Sequence, residues 1–338
     1  MAAEGPVEGF MIQLPAGHIF EVKGLIHPPG RALAYPRYVP DPRGDRAGGG
    51  LRFRKLSGWE ERMALVEADF GRYVVFDPVL GDVFCEIPLA DASHVFDPVG
   101  KLAELEEEGG DGLAGLVLEM VDEVADRASV SRGELGVSGS LLVGLEGPSS
   151  DIDIVVYGRE ACLEVYRALR SMREEGETRP LGPEELMAIY EARSADTPYD
   201  LRTFLAREPG KLLQGLFRGR AYSIRLIPSR AREPYGLLRF RALGTSTIRA
   251  TVEDASESIF TPCRYRISEV EVLSGPPGPK PTALSSFRLR FCEHARVGEL
   301  VEARGKLEAV YGPGGLLEVR LLVGGRKGDY IWPLGPPP

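Results

Sequence analysis

The 338-residue sequence has no asparagine and only two glutamines, Gln13 and Gln214. Depletion of these thermolabile amides belongs to the compositional signature of hyperthermophile proteins, so we expect a thermophilic archaeal or bacterial source. The chain also has no apolar run near the roughly 18 residues that a membrane-spanning helix requires. Its first residues lack the basic and apolar segments of a signal peptide. We therefore expect a cytoplasmic protein with no membrane partner.

Cysteine and histidine are also scarce, and neither forms a pattern with metal-ligand spacing. The cysteines stand far apart, at Cys85, Cys162, Cys263 and Cys292. A chain of this size needs no disulfide framework, so we expect them to be reduced. The histidines are His18, His27, His94 and His294. The net charge of −9 argues against general coating of nucleic acid. Only residues 237–338 carry more Lys and Arg than Asp and Glu.

The pattern along the chain predicts an α+β protein of three units. Residues 1–97 predict a small β-rich domain, with one helix beginning at a capping box formed by Ser57 and Glu60. Its segment 41–50 is rich in glycine and predicts a mobile loop. Residues 98–235 alternate helical and strand patterns, as in an α/β core. Residues 236–338 predict a small OB-like β-barrel followed by a Pro-rich tail.

Particular segments carry these assignments. In the second unit, helical spacing covers residues 113–128, 160–173, 183–192 and 199–216. Segments 152–157 and 222–227 are apolar and β-branched, as buried strands are. The third unit has five strand-like segments separated by Gly and Pro, at 247–252, 265–270, 287–291, 301–307 and 317–322.

One constellation predicts chemistry. Asp151 and Asp153 are two residues apart on a predicted strand, so their carboxylates point to the same face. Paired carboxylates on a rigid strand suit Mg²⁺, which takes oxygen ligands and shares them with substrate phosphates. Upstream, Gly139 allows a phosphate to approach the backbone closely. Ser140 can add a hydroxyl and, at a helix start, its N–H group.

This segment resembles the polymerase-β nucleotidyltransferase superfamily. The family pattern is a Gly-Ser pair opening a helix, a further glycine, and a Ser-Asp-x-Asp strand, which Gly139-Ser140, Gly144 and 150–153 match in order and spacing. The resemblance covers residues 113–158 well and 159–228 loosely. A family of archaeal proteins described only as predicted nucleotidyltransferases is similar over a longer stretch, which includes the N-terminal segment around residues 18–29.

The resemblance implies an Mg²⁺-dependent (or Mn²⁺-dependent) enzyme that binds an NTP and transfers a nucleoside monophosphate to an acceptor hydroxyl, with loss of pyrophosphate. Asp151 and Asp153 would be its catalytic and metal-binding carboxylates. The residues expected around the phosphates are Ser138, Gly139, Ser140, Gly144 and Ser150. The acceptor is expected to be a nucleic acid, such as RNA, or a protein.

The sequence departs from the family pattern at one position. Active members usually carry a third carboxylate on a later strand, but the matching strand here holds Ser223 and Arg225. Three explanations are open. Two carboxylates suffice, or the site binds nucleotide without turnover, or the third acid comes from Asp196, Asp200 or Glu208.

Basic residues supply weaker signals. Segment 218–241 is rich in arginine and could border the cleft, and we expect Lys211 and Arg225 to contact phosphate. Arg and aromatic residues alternate at 264–266 and 288–291, which suits single-stranded nucleic acid on a barrel face. Besides the enzyme, the sequence leaves open a silent nucleotide- or RNA-binding module and a small-molecule nucleotidyltransferase. The acceptor, the preferred NTP and the oligomeric state are not encoded in any recognisable pattern.

Overall fold

The computed structural model describes residues 5–335, which form a mixed α/β structure with three sheets. The first sheet lies in the N-terminal third and curves into a half-barrel. Its strands are β1 (Met11–Gln13), β2 (Ile19–Val22), β3 (Arg31–Pro40), β4 (Arg46–Gly48), β5 (Leu51–Lys55), β6 (Val74–Asp77), β7 (Asp82–Pro88) and β8 (His94–Phe96). The strand order is β4-β5-β3-β2-β1-β8, and β7 pairs with both β3 and β6. Helix α1 (Trp59–Asp69) and 3-10 turns at Gly71–Tyr73 and Leu89–Asp91 complete this third.

The middle third holds a five-stranded sheet in the order β11-β12-β13-β10-β9. Its strands are β9 (Leu135–Val137), β10 (Ile152–Tyr157), β11 (Thr178–Arg179), β12 (Gln214–Phe217) and β13 (Arg220–Ile227). The helices are α2 (Pro98–Glu108), α3 (Gly112–Ala128), α4 (Gly139–Leu142), α5 (Arg159–Glu174), α6 (Pro183–Ser194) and α7 (Leu201–Arg207), with 3-10 turns at Arg132–Glu134 and Glu208–Gly210. Strands β10 and β13 are parallel, and both are central in the sheet.

The C-terminal third is a ring of strands. It contains β14 (Arg239–Asp254), β15 (Cys263–Ser274), β16 (Ala283–Ser286), β17 (Leu300–Gly312), β18 (Gly315–Leu322) and β19 (Tyr330–Pro333), with a 3-10 turn at Leu289–Phe291. The sheet order is β14-β15-β16-β18-β17-β19, and the additional pairing of β14 with β17 closes a ring of five strands. The β16–β18 pair is parallel and the other pairs are antiparallel.

The two faces of the middle sheet are buried against different parts of the chain. Ile152, Ile154 and Val156 belong to the apolar cluster that contains α3 and α5. The alternate residues Val155 and Tyr157 belong to a cluster made mainly by the N-terminal third. Because strand residues alternate between faces, Asp151 and Asp153 lie on the side of the sheet that the N-terminal third covers.

Four local predictions are wrong. The helix predicted over 199–216 forms only as α7, Leu201–Arg207, and its last residues belong to strand β12. Helix α1 starts after Gly58 with no side-chain cap, so Ser57 and Glu60 form no capping box. Segment 41–50 is not simply a loop, because Arg46–Gly48 pairs with β5. Segment 287–291 is a turn because the Ser286 hydroxyl accepts a hydrogen bond from the Arg288 N–H and draws the backbone away from the strand.

Two further expectations can be compared with the structure. All four cysteines are buried and free. Within residues 5–335, none of the helices is sufficiently long and apolar to span a bilayer. Of the predicted Pro-rich tail, residues 336–338 lie outside the described range.

Candidate functional site

The two aspartates stand at the start of the central strand β10. Asp151 directly precedes the strand and is exposed, while Asp153 is its second residue and is half-buried. In the parallel pairing with β13, Asp153 lies opposite Ser223. The Ser223 hydroxyl donates a 2.6 Å hydrogen bond to Oδ1 of Asp153. This bond holds the carboxylate in place from the neighbouring strand.

Gly139 fills a position at this site that no other residue can occupy without displacement. Its φ angle is +63°, in the left-handed region. A Cβ atom added at Gly139 would stand 1.9 Å from Oδ2 of Asp153. The backbone N–H of Ser138 donates to the Asp153 carbonyl at 2.8 Å. The predicted phosphate-binding segment and the carboxylate pair are therefore in direct contact.

The serines of the motif shape the loop between α4 and β10. Ser140 and Ser150 are buried, and their hydroxyl oxygens are 2.9 Å apart. The Ser150 oxygen also accepts hydrogen bonds from the Gly147 N–H and from the guanidinium of Arg46. Both hydroxyls thus hold the loop in one conformation, with Gly144 at a φ of +65° on its path.

A hairpin from the N-terminal third covers this loop. Arg46 of β4 donates to the Leu145 carbonyl at 2.8 Å, across 99 residues of sequence. Gly48 approaches so closely that an added Cβ would lie 2.6 Å from the Gly144 carbonyl oxygen. Leu142 and Leu145 pack in an apolar cluster whose other buried members are Met11, Ile19, Tyr38 and Phe53. The N-terminal third therefore forms one wall of the site.

Cations from two parts of the chain surround the carboxylates. Neither carboxylate forms an ion pair within residues 5–335, but Lys55, Arg220 and Arg46 are near enough to lower the pKa of Asp151. Partial desolvation of this carboxylate by its neighbours, together with the charge of Asp153, outweighs them and raises the pKa of Asp151 to about 6. Burial lowers the pKa of Lys55. Two carboxylates and three cations, with no ion pair among them in the described residues, thus lie near one another.

The donor set at the site suits a divalent cation only in part. Two carboxylates on one strand are ligands that Mg²⁺ accepts, and the remaining positions could be filled by water and phosphate oxygens. Among the described residues, no group of three Asp, Glu, His or Cys side chains has the arrangement of a metal site. The strand position expected to carry a third acid holds Ser223, whose hydroxyl is bonded to Asp153.

The three alternative acids have other partners. Both carboxylate oxygens of Asp196 accept the backbone N–H of Trp59. Asp200 caps α7 by accepting the Thr203 N–H at 2.8 Å. Glu208 is buried in ion pairs. The structure does not assemble any of them with Asp151 and Asp153 into a metal site.

Two predicted phosphate contacts also lie away from the carboxylate pair. Lys211 is buried, with its ammonium group 3.1 Å from Glu208 and 2.6 Å from the Arg290 carbonyl, so it joins the middle and C-terminal thirds. Arg225 pairs with Glu8, which is 1% exposed, and with Glu21 at 3.6 Å. Arg225 thus joins β13 to the N-terminal third.

Sequence reasoning brought together seven of the residues at the site, named Ser223 only as an occupant of the strand expected to carry the third acid, and missed Arg46 and Lys55. Arg46, Lys55 and Ser223 carry no motif, and the first two lie roughly 100 residues before the aspartates they face. No spacing rule connects positions that far apart. Only the packing of the N-terminal hairpin on the loop before β10 identifies them.

Comparison with known proteins adds one distant relative. The chain is 24% identical over 336 residues to an uncharacterized protein, MJ1086, of Methanocaldococcus jannaschii, and the match covers 93% of this chain and 94% of the relative. No family model and no solved structure matches the chain. The relative has an archaeal source, and its printed name states no activity.

Proposed function

We propose that the protein is an Mg²⁺-dependent nucleotidyltransferase that transfers a nucleoside monophosphate from an NTP to an acceptor hydroxyl. One observation carries the proposal. The Gly139 backbone touches Asp153, so that a glycine-opened turn and a strand-borne pair of carboxylates form a single site. A phosphate resting on the turn would lie beside the two carboxylates that could hold its cation.

The surrounding charges support the same reading. A triphosphate carries three to four negative charges, and Lys55, Arg46 and Arg220 stand around the carboxylates without an ion-pair partner among the described residues. Cations positioned around a transferring phosphoryl group are the usual way to stabilise its transition state. We assign these three side chains to the triphosphate, in place of Lys211 and Arg225.

The reaction follows from this placement. A bond forms between an acceptor hydroxyl oxygen and the α-phosphorus, the anhydride bond to the β-phosphate breaks, and pyrophosphate and one proton are released. Bound Mg²⁺ would supply charge neutralisation at the attacking and leaving oxygens. Asp151 and Asp153 would hold the cation, Ser223 would orient Asp153, and Gly139, having no side chain, would let the Asp153 carboxylate lie against the turn on which the phosphate rests.

The proposal extends to the fold. We assign the middle third to the polymerase-β-like core on its Gly-Ser motif and its parallel β10–β13 pair. We assign the ring of five strands to an OB-type barrel, since a five-stranded barrel built largely of antiparallel pairs is the form of that fold. OB folds bind oligonucleotides, which favours a nucleic-acid acceptor such as RNA.

Label transfer tests the activity. Each α-³²P-labelled NTP is incubated with the protein, total RNA and Mg²⁺ or Mn²⁺. We expect label on RNA, or on the protein itself, with wild type and none with Asp153→Asn. The matched control is Asp91→Asn. It replaces a carboxylate of the N-terminal third that is distant from Asp153 in the sequence. Equal labelling by wild type and Asp153→Asn would show that Asp153 does not hold the catalytic cation.

A catalytically silent nucleotide-binding module is the second candidate. Ser223, standing opposite Asp153 where an acid is expected, favours it. This candidate predicts saturable NTP binding that EDTA does not change and no label transfer with any NTP. Calorimetric titration with ATP in Mg²⁺ and in EDTA separates the two candidates.

A further inference from the structure

A large cavity in the described part of the chain lies away from the carboxylate pair. It has a volume of about 430 Å³ and is lined by residues of all three thirds of the chain. Pro228, which follows β13, lines it, whereas Asp151, Asp153 and Ser223 do not. Ser223 and Pro228 are five positions apart on an extended backbone, which corresponds to roughly 16 Å. The cavity is therefore a separate compartment of the molecule.

Aromatic rings form much of its wall. Five of the lining side chains are aromatic and only half-buried, namely Tyr35, Trp59, Phe84, Phe240 and Phe287. The ring centroids of Tyr35 and Trp59 are 5.4 Å apart. Half-buried rings around a partly open cavity leave ring surface available to a ligand, and a flat aromatic group makes the largest contact with such surface. A volume of this size is within the range of small-molecule sites.

The wall is also cationic, although the whole chain has a net charge of −9. Six Lys or Arg residues and three Glu residues line the cavity. Three of the cations lie over lining rings: Arg288 over Trp59, Lys306 over Phe84 and Arg320 over Phe240. Lys306 and Arg320 are both paired with Glu308, and Lys306 is also paired with Asp82, so their charge is largely neutralised.

Arg288 differs from the others. It forms no ion pair with the described residues, and its Nε donates to the Gly324 carbonyl at 3.1 Å. Arg62 also lines the cavity and is 3% exposed; it pairs with Glu21 at 3.5 Å, but its buried Nε has no hydrogen-bond partner in residues 5–335. Arg288 is half-buried and has no carboxylate partner among the described residues, so a bound anion would supply the charge partner that it lacks.

We propose that this cavity binds a small organic anion in which a planar aromatic ring carries a phosphate or a carboxylate. The ring lies against Trp59 and the neighbouring aromatic side chains, and the anionic group accepts hydrogen bonds from Arg288 and Arg62. Both parts of the ligand are required, because the ring surface alone leaves Arg288 unpaired and the anion alone leaves the aromatic walls uncovered. This site is independent of the nucleotidyltransferase proposed at Asp153.

Tryptophan fluorescence reads this site directly. The chain has two tryptophans, so Trp332→Phe leaves Trp59 as the only reporter. The probes are AMP with adenosine as its neutral counterpart, nicotinate with nicotinamide, and inorganic phosphate. We expect a saturable change in Trp59 emission with AMP or nicotinate, at least about tenfold tighter than with its neutral counterpart or with phosphate alone. Tighter binding of AMP would identify the anionic group as a phosphate, and tighter binding of nicotinate would identify it as a carboxylate. Equal affinity for charged and neutral probes, or no saturable change with any probe, would overturn the proposal.

Variants then locate the binding. Arg288→Met should weaken the charged probe about tenfold and leave the neutral one unchanged, as expected for loss of one charge-assisted contact. Arg288→Lys keeps the charge and should retain part of the affinity, which separates loss of the contact from loss of the fold. Arg304→Met, on exposed β17 surface, and Asp153→Asn should have no effect. Unchanged binding in Arg288→Met, or loss of binding in Asp153→Asn, would contradict the assignment.

Discussion

At the scale of single residues, the site depends on a glycine that touches a carboxylate. Gly139 and Gly144 both have a left-handed φ, at +63° and +65°. They differ in one respect: an added Cβ at Gly139 meets Asp153 at 1.9 Å, whereas one at Gly144 meets nothing within 4 Å. The two positions therefore separate backbone strain from displacement of the carboxylate.

We expect Gly144→Ala to lower the free energy of unfolding by about 1–2 kcal/mol, the cost of a side chain in the left-handed region. Gly139→Ala should cost more than this and also weaken Mn²⁺ binding at least about tenfold, because Asp153 has to move. Urea unfolding and calorimetric Mn²⁺ titration of both variants make the comparison. Equal losses of Mn²⁺ affinity in the two variants would mean that the contact with Asp153 has no role.

Asp151 makes a pH-dependent prediction. Its pKa of about 6 means that the carboxylate is largely protonated at pH 5 and ionised at pH 7. Divalent cations bind the ionised form, so Mn²⁺ affinity should fall about tenfold between pH 7 and pH 5. Calorimetric titrations at several pH values measure the change. In Asp151→Asn the remaining affinity should lose the step near pH 6, and a step that persists there would assign it to another group.

The same group affects the stability of the metal-free protein. Because the folded-state pKa of Asp151 is raised, its contribution to stability is complete below the unfolded value near 4 and is lost as pH rises through about 6. In EDTA, Asp151→Asn should therefore gain stability relative to wild type as pH rises from 5 to 7. Urea midpoints at the two pH values give this difference, and a constant difference would show that Asp151 is not desolvated.

At the scale of elements, the parallel pairing of β10 with β13 determines which residue of β13 lies beside Asp153. The register places Asp153 opposite Ser223 and Val155 opposite Arg225. Ser223, rather than Arg225, is therefore the residue in the position expected for a third acid. The sequence indicated the strand but not the register, so both residues were candidates until the pairing was known.

Ser223→Asp should supply that acid. The new carboxylate would stand beside Asp153 and raise Mg²⁺ affinity by about tenfold or more, since a charged oxygen ligand would be added next to two others. In EDTA the same variant should be less stable than wild type, because like charges would then be adjacent. Ser223→Asn has a similar shape without the charge and is the control. Mg²⁺ titration and urea unfolding give both quantities, and higher Mg²⁺ affinity in both variants would exclude the added charge as the cause.

The elements show how far local pattern reaches. Strand β10 was predicted with its observed bounds, and α3 and α5 to within a residue, because each has an apolar face of the right period. Strand β3, of 10 residues, was not predicted, although it is the strand from which the N-terminal half-barrel is built. It contains two prolines and alternates poorly, and its register depends on partners at both ends of the unit. Pairing between distant segments, like the approach of Arg46 to Ser150, cannot be predicted from the local sequence pattern.

At the scale of the whole molecule, the three thirds are not separately packed. One apolar cluster runs from α2 through the middle sheet to β19, and so includes both the middle and the C-terminal thirds. A second cluster joins Val155, Tyr157 and Ile227 of the middle sheet to the N-terminal third. The Tyr157 hydroxyl donates to the Glu8 carbonyl at 3.0 Å. The predicted units at 1–97, 98–235 and 236–338 thus share their interiors, and the candidate site lies where two of them meet.

A buried ion pair tests this junction. Glu8 is 1% exposed and is paired with Arg225 and, at 3.2 Å, with Lys23. Removing Arg225 leaves a buried carboxylate with one cation instead of two, so Arg225→Met should lower the free energy of unfolding by about 3 kcal/mol. The control is Arg218→Met, which breaks the exposed ion pair between Arg218 and Glu119. This variant should lower the free energy of unfolding by less than about 1 kcal/mol. Urea unfolding of both variants measures the difference.

The double variant distinguishes pairing from a direct role in ligand binding. With Glu8→Gln as well, no uncompensated charge remains, and part of the stability lost in Arg225→Met should return. If Arg225 instead bound phosphate, as the sequence predicted, the single variant would lose NTP affinity with little change in stability. Because Arg225 lies two positions beyond Ser223 and is bound to Glu8 and Glu21, we expect the loss to appear in unfolding. If Arg225→Met does not lower the free energy of unfolding, Arg225 would again be a candidate for phosphate binding.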